Sequence, residues 1–451
     1  MDSLVANGRA LPYYASIPAT LLALAMLFVA LRSSQGRATR FVIFAIWLRF
    51  ILSAFHPITF SASPAGLSYN ALGSIFICGL GLWVLRPRGV FDVGLVPFYP
   101  ILLVIAISGF VNHSVSPMVD MLVKYVYMAV IILAVVDAIT ETGWDKALGK
   151  MFLPFLILVA FQALSVVLGV VKASEADGSA SYIGGFNHEA AFSVALAGGL
   201  FVLALRQRMS GLAKTALVGM FCLSILLANY RTAIVAIAPL LGGIALIGAW
   251  RGVIRAQRMV VIGLATVLIG IGGVAIGSTQ QERFADIATV IERGTSIIKP
   301  PREFDLDDRH VMSGRPLIWS QYIYGYRDSS PIQHVIGSGP NAWNGVFVVY
   351  AHNTLVSALY ELGVLGVLAT LFFWIWMFAL AAMAKTRARP ILLCGHLSFF
   401  LLNMATMPLW QIEGMILYGI LCGCTVQAYI SARKYDATKR RPISASTPYT
   451  A

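Results

Sequence analysis

Apolar runs of about 20 residues recur along most of this chain, and nothing else in it limits the fold so strongly. A run of that length is what a helix needs to cross the hydrocarbon core of a bilayer. A helix is also one of the few shapes that satisfies its own backbone hydrogen bonds there. Thirteen candidate spans can be read, roughly 15–31, 41–60, 69–85, 92–111, 119–137, 147–171, 188–205, 212–228, 231–250, 259–278, 352–380, 390–408 and 411–430. Strands of a membrane barrel are short and alternate in polarity, whereas these runs are long and continuous. Of the 451 residues, 12% are charged and 58% hydrophobic, about half the charged fraction of an ordinary soluble domain. The reading is an all-α polytopic integral membrane protein with 12–13 transmembrane helices.

The net charge of +13 is a topology signal here. Basic residues gather in short clusters between apolar runs, and such clusters stay cytoplasmic. Arg32, Arg37 and Arg40 follow the first span, and Arg86 and Arg88 the third. Arg206, Arg208 and Lys214 follow the seventh, Arg251, Arg255 and Arg258 the ninth, and Lys385, Arg387 and Arg389 the eleventh. The tail carries Arg433, Lys434, Lys439, Arg440 and Arg441. Each cluster follows an odd-numbered span, which puts the C-terminus inside and the N-terminus outside. Twelve spans with both ends inside is the alternative. This distribution gives no reason to expect a nucleic-acid partner.

The cysteines Cys78, Cys222, Cys394, Cys422 and Cys424 all fall within apolar runs, without zinc-site spacing, and read as small core residues. The first apolar run reads as an anchor rather than a cleaved leader, because its stronger positive flank follows it. One long polar segment, 279–351, lies on the non-cytoplasmic side. It carries seven basic and eight acidic residues, and several glycines and aromatics. A loop of that length is usually functional, and it is expected to be partly helical and to cap the bundle. The chain then divides into 1–180 and 181–278, both transmembrane, the loop 279–351, a C-terminal transmembrane part 352–430 and a basic tail 431–451.

The stretch "YAHNTLVSALYELGVLG" (350–366) sets a titratable His352 and an Asn353 at the outer lip of the eleventh span. On a regular helix Gly363 returns to within ~20° of the His352 direction, about 16 Å deeper, and Gly366 lies about 40° away. That pattern predicts one small-residue face turned into the bundle for close helix packing. A structural histidine capping the helix with Asn353 is the competing reading. Arg231, in "NYRTAIVAIAPLLGG", stands at an outer turn against the positive-inside trend. Arg315, in "SGRPLIWSQ", stands in the outer loop. Each alone suits an interfacial or solvated arginine. Together with His352 on one side of the membrane they suit an anionic headgroup, because the guanidinium fork binds phosphate at two points.

In that order, these elements resemble the superfamily of O-antigen ligases and O-antigen and exopolysaccharide polymerases. His352-Asn353, nine residues, Gly363, two residues and Gly366 fit the ligase motif. Arg231-Thr232-Ala233 is similar to the family's outer arginine, and Gly314-Arg315 with Trp319 to its loop pattern. "VIGSGPNAW" (335–343) resembles the glycine-rich turn, and "GGFNHEAAFSVAL" (184–196) the Asn-containing helix entry. The similarity covers about 180–430.

The resemblance implies a GT-C-like architecture in a bacterial inner membrane, with a periplasmic active site. The activity it implies is metal-independent, inverting transfer of a glycan from a polyprenyl (undecaprenyl) diphosphate carrier to an acceptor hydroxyl. Arg231 and Arg315 would steady the diphosphate, and His352 would activate or orient the acceptor. Asn353, Asn187, His188, Glu189 and Gly339 would assist substrate binding, and Gly363 and Gly366 helix packing. No cofactor is implied. Implied partners are the lipid-linked oligosaccharide, a glycan or lipid A-core acceptor, membrane lipids, and flippase and chain-length-regulator proteins. Polymerase and ligase share the motifs, with the polymerase slightly favoured; a lipid-linked glycan flippase is the non-enzymatic alternative. The Asp305-x-Asp307 spacing suits a metal pair but reads as a solvated acidic run. His310, His334, Glu413 and Lys124 are weaker site candidates, and His56 and His113 read as interfacial. The chain contains no G-x-x-x-x-G-K-[ST] phosphate loop.

Overall fold

The computed structural model describes residues 8–64, 66–85, 92–173, 180–252, 294–306, 308–309 and 311–439, with positions 257, 259, 263 and 292. Its helices are α1 (Tyr13–Arg32), α2 (Arg37–Ala54), α3 (His56–Thr59), α4 (Tyr69–Val84), α5 (Phe98–Val111), α6 (Val115–Thr142), α7 (Trp144–Phe152), α8 (Phe155–Val167), α9 (Glu189–Leu205), α10 (Gly211–Leu227), α11 (Arg231–Ala236), α12 (Ala238–Gly252), α13 (Arg315–Arg327), α14 (Pro331–Ile336), α15 (Thr354–Met383), α16 (Arg389–Ala405) and α17 (Ile412–Lys439). Among the described residues six helices or helix pairs are long and apolar enough to cross a membrane, and five shorter apolar helices of 10–17 residues accompany them. The chain is a multi-pass, all-α membrane protein. A two-residue antiparallel pairing of Lys172–Ala173 with Ala180–Ser181 is the one ladder described.

The core is built around α6 and α17, with α9 buried along almost its whole length. Close approach of α6 and α17 depends on two glycines of α17. A Cβ at Gly423 would lie 2.7 Å from Val135 Cβ, and one at Gly419 3.0 Å from Ile131 Cβ. In a membrane, where water does not drive helices together, such contact surfaces hold the bundle through packing.

Some expected spans are interrupted. The sixth breaks between α7 and α8 at Leu153–Pro154, and the ninth between α11 and α12 at Ile237, two residues before Pro239. Proline removes a backbone donor and crowds the preceding turn. The fourth starts at Phe98 rather than at 92, and the fifth extends to Val115–Thr142. The tenth, 259–278, lies outside the continuously described residues.

The polar ends separate into two groups. At one end Lys150 Nζ donates to Ser33 Oγ at 2.6 Å, and Glu141 accepts from the Ala38 amide at 3.2 Å. Asp145 accepts from the amides of Gln207 and Arg208. One cleft brings Arg206, Lys214 and Arg387 together. The basic clusters after the first, seventh and eleventh spans therefore share one end of the bundle. Arg86, Arg88, Arg255, Arg258, Arg440 and Arg441 lie outside the described residues. The opposite end carries α13 and α14 from the long polar segment, together with the residues considered next.

Candidate functional site

The segment before α15 is held from two sides. Trp319 Nε1 of α13 donates to the Ala351 carbonyl at 3.0 Å, and the Tyr322 hydroxyl to the Val349 carbonyl at 3.0 Å. Asn353 is the N-cap of α15. Its Oδ1 accepts from the amides of Leu355 and Val356 at 2.9 and 3.1 Å, and its Nδ2 donates to the Met404 carbonyl at 3.0 Å. Both ends of this amide are thus used in capping, and Asn353 is a positioning residue for its neighbour. His352, between these anchors, has φ +52°. That conformation is uncommon for a side chain with a Cβ and persists only where the surroundings impose it.

Arg315 is the first residue of α13, after Gly314 in the left-handed region at φ +77°. Its Nη2 donates to Thr232 Oγ1 at 3.0 Å, beside Arg231, the first residue of α11. Three segments far apart in the chain thus converge on one end of the bundle: the α10–α11 turn, the start of α13 and the lip of α15. Tyr230 lies in the same group; burial raises its phenol pKa, and the Arg315 charge opposes that rise.

Electrostatically, His352 is a neutral imidazole. Burial pushes its pKa down to about 3, the Arg315 and His188 charges add to this, and Glu189 opposes it. Its Nδ1 is buried and has no hydrogen-bond partner among the described residues. Its ring packs against Tyr350 at a 35° tilt with centroids 4.0 Å apart, and Tyr350 stacks on Trp410 at 5.8 Å. A buried, unpaired nitrogen is costly to keep, and a neutral imidazole has one ring nitrogen able to accept a proton or a hydrogen bond.

Asn187, His188 and Glu189 enter α9 beside this group. His188 is the N-cap, its Nδ1 accepting from the Ala190 amide at 3.1 Å. Glu189 pairs with the buried Lys172 at 2.5 Å. Asn187 and His188, but not Glu189, line a cavity of about 610 Å³ that also holds Arg49, Asp120, Lys124, Tyr350, Trp410, Gln411 and Glu413. A second cavity of about 310 Å³ adjoins it and shares Ser116, Asp120, Lys124, Met407 and Trp410.

The glycines do not act as one helical face. Thr354, not His352, begins α15, and at Gly363 the backbone leaves the helix (φ 66°, ψ −165°). There α14 meets the break: a Cβ at Gly363 would lie 2.5 Å from the Val335 carbonyl, and one at Gly337 2.2 Å from Glu361 C. Close approach is the purpose, as expected, but it joins the polar cap to α15 through a break. Gly366 packs within its own helix, against Leu362 Cβ and the Ala358 carbonyl. Gly339 (φ +108°) is seated on Asn112 and Ser114, its amide donating to the Glu361 carbonyl at 3.0 Å. It supports the turn and does not line either cavity. Glu361, buried, fastens the same turn by accepting from the Asn341 amide and the Ser357 hydroxyl.

Of the weaker candidates, His334 Nε2 bonds the Tyr326 carbonyl and His56 Nδ1 the Gly185 carbonyl, while His113 occupies a turn at φ +55°. His310 and Asp307 lie outside the described residues. Asp305 Oδ1 accepts from the Asp308 amide at 2.7 Å, closing a local turn. Glu413 and Lys124 line the larger cavity. Arg49, unassigned in the sequence reading, forms a two-point pair with Glu413 at 2.9 and 3.1 Å and also bonds Asn70. Its signal was present: an arginine inside an apolar span is a functional candidate in its own right.

The chain matches no family model, and no curated protein matches it in sequence.

Proposed function

We propose that this protein transfers a glycan from a polyprenyl diphosphate carrier to an acceptor hydroxyl at the periplasmic face of a bacterial inner membrane. The architecture would be GT-C-like, and the product a surface polysaccharide such as O-antigen or exopolysaccharide. The meeting of Arg315, bonded to Thr232 beside Arg231, with a neutral His352 whose Nδ1 is unpaired is the observation that carries this reading. Arg231 and Arg315 bind the diphosphate and stabilise charge as it grows on the leaving oxygen. The acceptor oxygen attacks the anomeric carbon from the opposite side, the bond from that carbon to the phosphate oxygen breaks, and the configuration inverts. His352 takes the acceptor proton or its hydrogen bond. A diphosphate placed at Arg315 offsets one of the charges that depress the imidazole, so its basicity rises when donor is bound. The ligase alternative differs only in the acceptor, a lipid A-core sugar.

Arg49 and Glu413, charged groups inside the bundle, are the features that favour transport of a lipid-linked glycan instead. Arg49 lies five residues from the end of α2, about 8 Å at 1.5 Å per residue, and Glu413 is the second residue of α17. Both therefore sit toward the same end as His352, not midway through the bundle where transporter sites lie. Purified protein given lipid-linked oligosaccharide and acceptor decides between the two. A new glycosidic bond is expected, with Arg315→Lys losing most of the rate because the two-point fork is lost. Donor moved across vesicles with no bond formed would overturn the enzyme reading.

A further inference from the structure

We propose that the larger cavity is a sugar-binding site, and that it seats the acceptor glycan with its reacting hydroxyl toward His352. The acceptor assignment rests on the transfer reading; the sugar-binding assignment does not.

The cavity's charges are already matched in pairs. Arg49 bonds Glu413, and Lys124 Nζ lies 2.7 Å from Asp120 Oδ2. A site built for an ion would leave charge uncompensated, so this one suits a neutral, polar occupant. Two lining side chains bury polar atoms without a partner among the described residues: Asn187 Oδ1 and Gln411 Oε1. Each unmet buried acceptor costs about 1–3 kcal/mol, and an occupant with several hydroxyls would remove that cost. Hydroxyls both donate and accept, so they can serve these acceptors and the His352 Nδ1 alike. Tyr350 and Trp410 supply a stacked aromatic wall on which the C–H face of a sugar ring can lie. Tyr350 links the cavity to the reacting group, because its ring also contacts His352. The volume, about 610 Å³, falls in the range of small-molecule sites and fits one or two sugar rings. The Arg315 charge and that of the cavity residue His188 both act on His352, so phosphate recognition and the cavity meet at this histidine.

Saturation-transfer NMR with purified protein and a panel of neutral and acidic mono- and disaccharides tests the site without turnover. Wild type should transfer saturation to at least one sugar. Asn187→Leu with Gln411→Leu should reduce that signal at least tenfold, and Arg315→Ala should leave it intact. Binding of sugar-free undecaprenyl diphosphate should show the reverse pattern. If the double variant misfolds, Gln411→Glu keeps an acceptor at the same place and should retain the sugar signal. Signal from no sugar on wild type, or equal signal from the double variant, would overturn the site. In the transfer assay the double variant should raise KM for the acceptor and not for the donor; the opposite pattern would give the cavity to the donor glycan and overturn the acceptor assignment. Sugar binding without any transfer by wild type would refute the proposed activity and leave the sugar site standing.

Discussion

Two buried polar groups near the same end of the bundle are treated in opposite ways. Arg49 and Glu413 satisfy each other: the guanidinium donates twice to the carboxylate, Ser53 donates a further bond at 2.6 Å, and Asn70 accepts from the arginine. His352 is left with an unpaired Nδ1 in a backbone conformation that a histidine rarely adopts. The first arrangement holds α2 to α17. The second costs stability that something else must recover, and a bound substrate is the natural source. Completeness of hydrogen bonding, more than burial or charge, is what distinguishes the Arg49–Glu413 pair from His352.

The largest effect should come from breaking the satisfied pair. Arg49→Ala strands Glu413 in a buried place, a change worth about 3–5 kcal/mol, and should sharply lower thermal stability in detergent. Arg49→Met together with Glu413→Leu should regain most of that stability. A double variant as unstable as the single one would mean that the pair does more than satisfy itself.

His352→Gln should behave in the other way. Thermal stability should hold while transfer per folded molecule falls about 10²–10⁴-fold, the usual worth of general-base help. His352→Gly should be at least as stable as wild type, since glycine adopts φ +52° without strain, yet equally inactive. Wild-type turnover by the glutamine variant would make this histidine structural and remove the contrast.

A smaller effect is expected at the seam between cap and bundle. Gly363→Ala forces a Cβ against the Val335 carbonyl at positive φ, costing about 1–3 kcal/mol. The loss should appear as reduced folded protein with near-normal activity per molecule. A normal melting temperature would mean that α14 shifts freely away from α15.

The stability response to pH gives a further comparison. The folded pKa of His352, about 3, lies below the unfolded value near 6.5. Its contribution to stability is full above pH 6.5 and is lost as pH falls toward 3, because the unfolded chain binds the extra proton. Wild type should therefore lose more stability than His352→Gln between pH 7 and pH 4. For donor-free enzyme, kcat/KM should show no limb near pH 6.5 from this residue. Equal acid sensitivity of the two proteins would place the histidine in a solvated setting.

The class of the protein follows from sequence alone, because a run of apolar side chains must leave water whatever its neighbours are. The gathering of basic clusters at one end follows for the same local reason: each is tied to the span it adjoins. Helix breaks at Leu153–Pro154 and Ile237 were less legible, since hydropathy does not register a lost backbone donor. The face drawn through His352, Gly363 and Gly366 failed because it assumed an unbroken helix. At Gly363 the chain leaves the helix at positive φ, and the Val335 and Gly337 backbones lie where a Cβ would stand; that neighbour comes from another segment. The same holds for Asn353, whose amide the fold commits to a cap. The Arg49–Glu413 pair, 364 positions apart, and the Arg315–Thr232 bond, 83 apart, were decided by the tertiary structure. Spacing along the chain carries the rules of one helix, whereas which buried atoms find partners depends on how the helices are assembled.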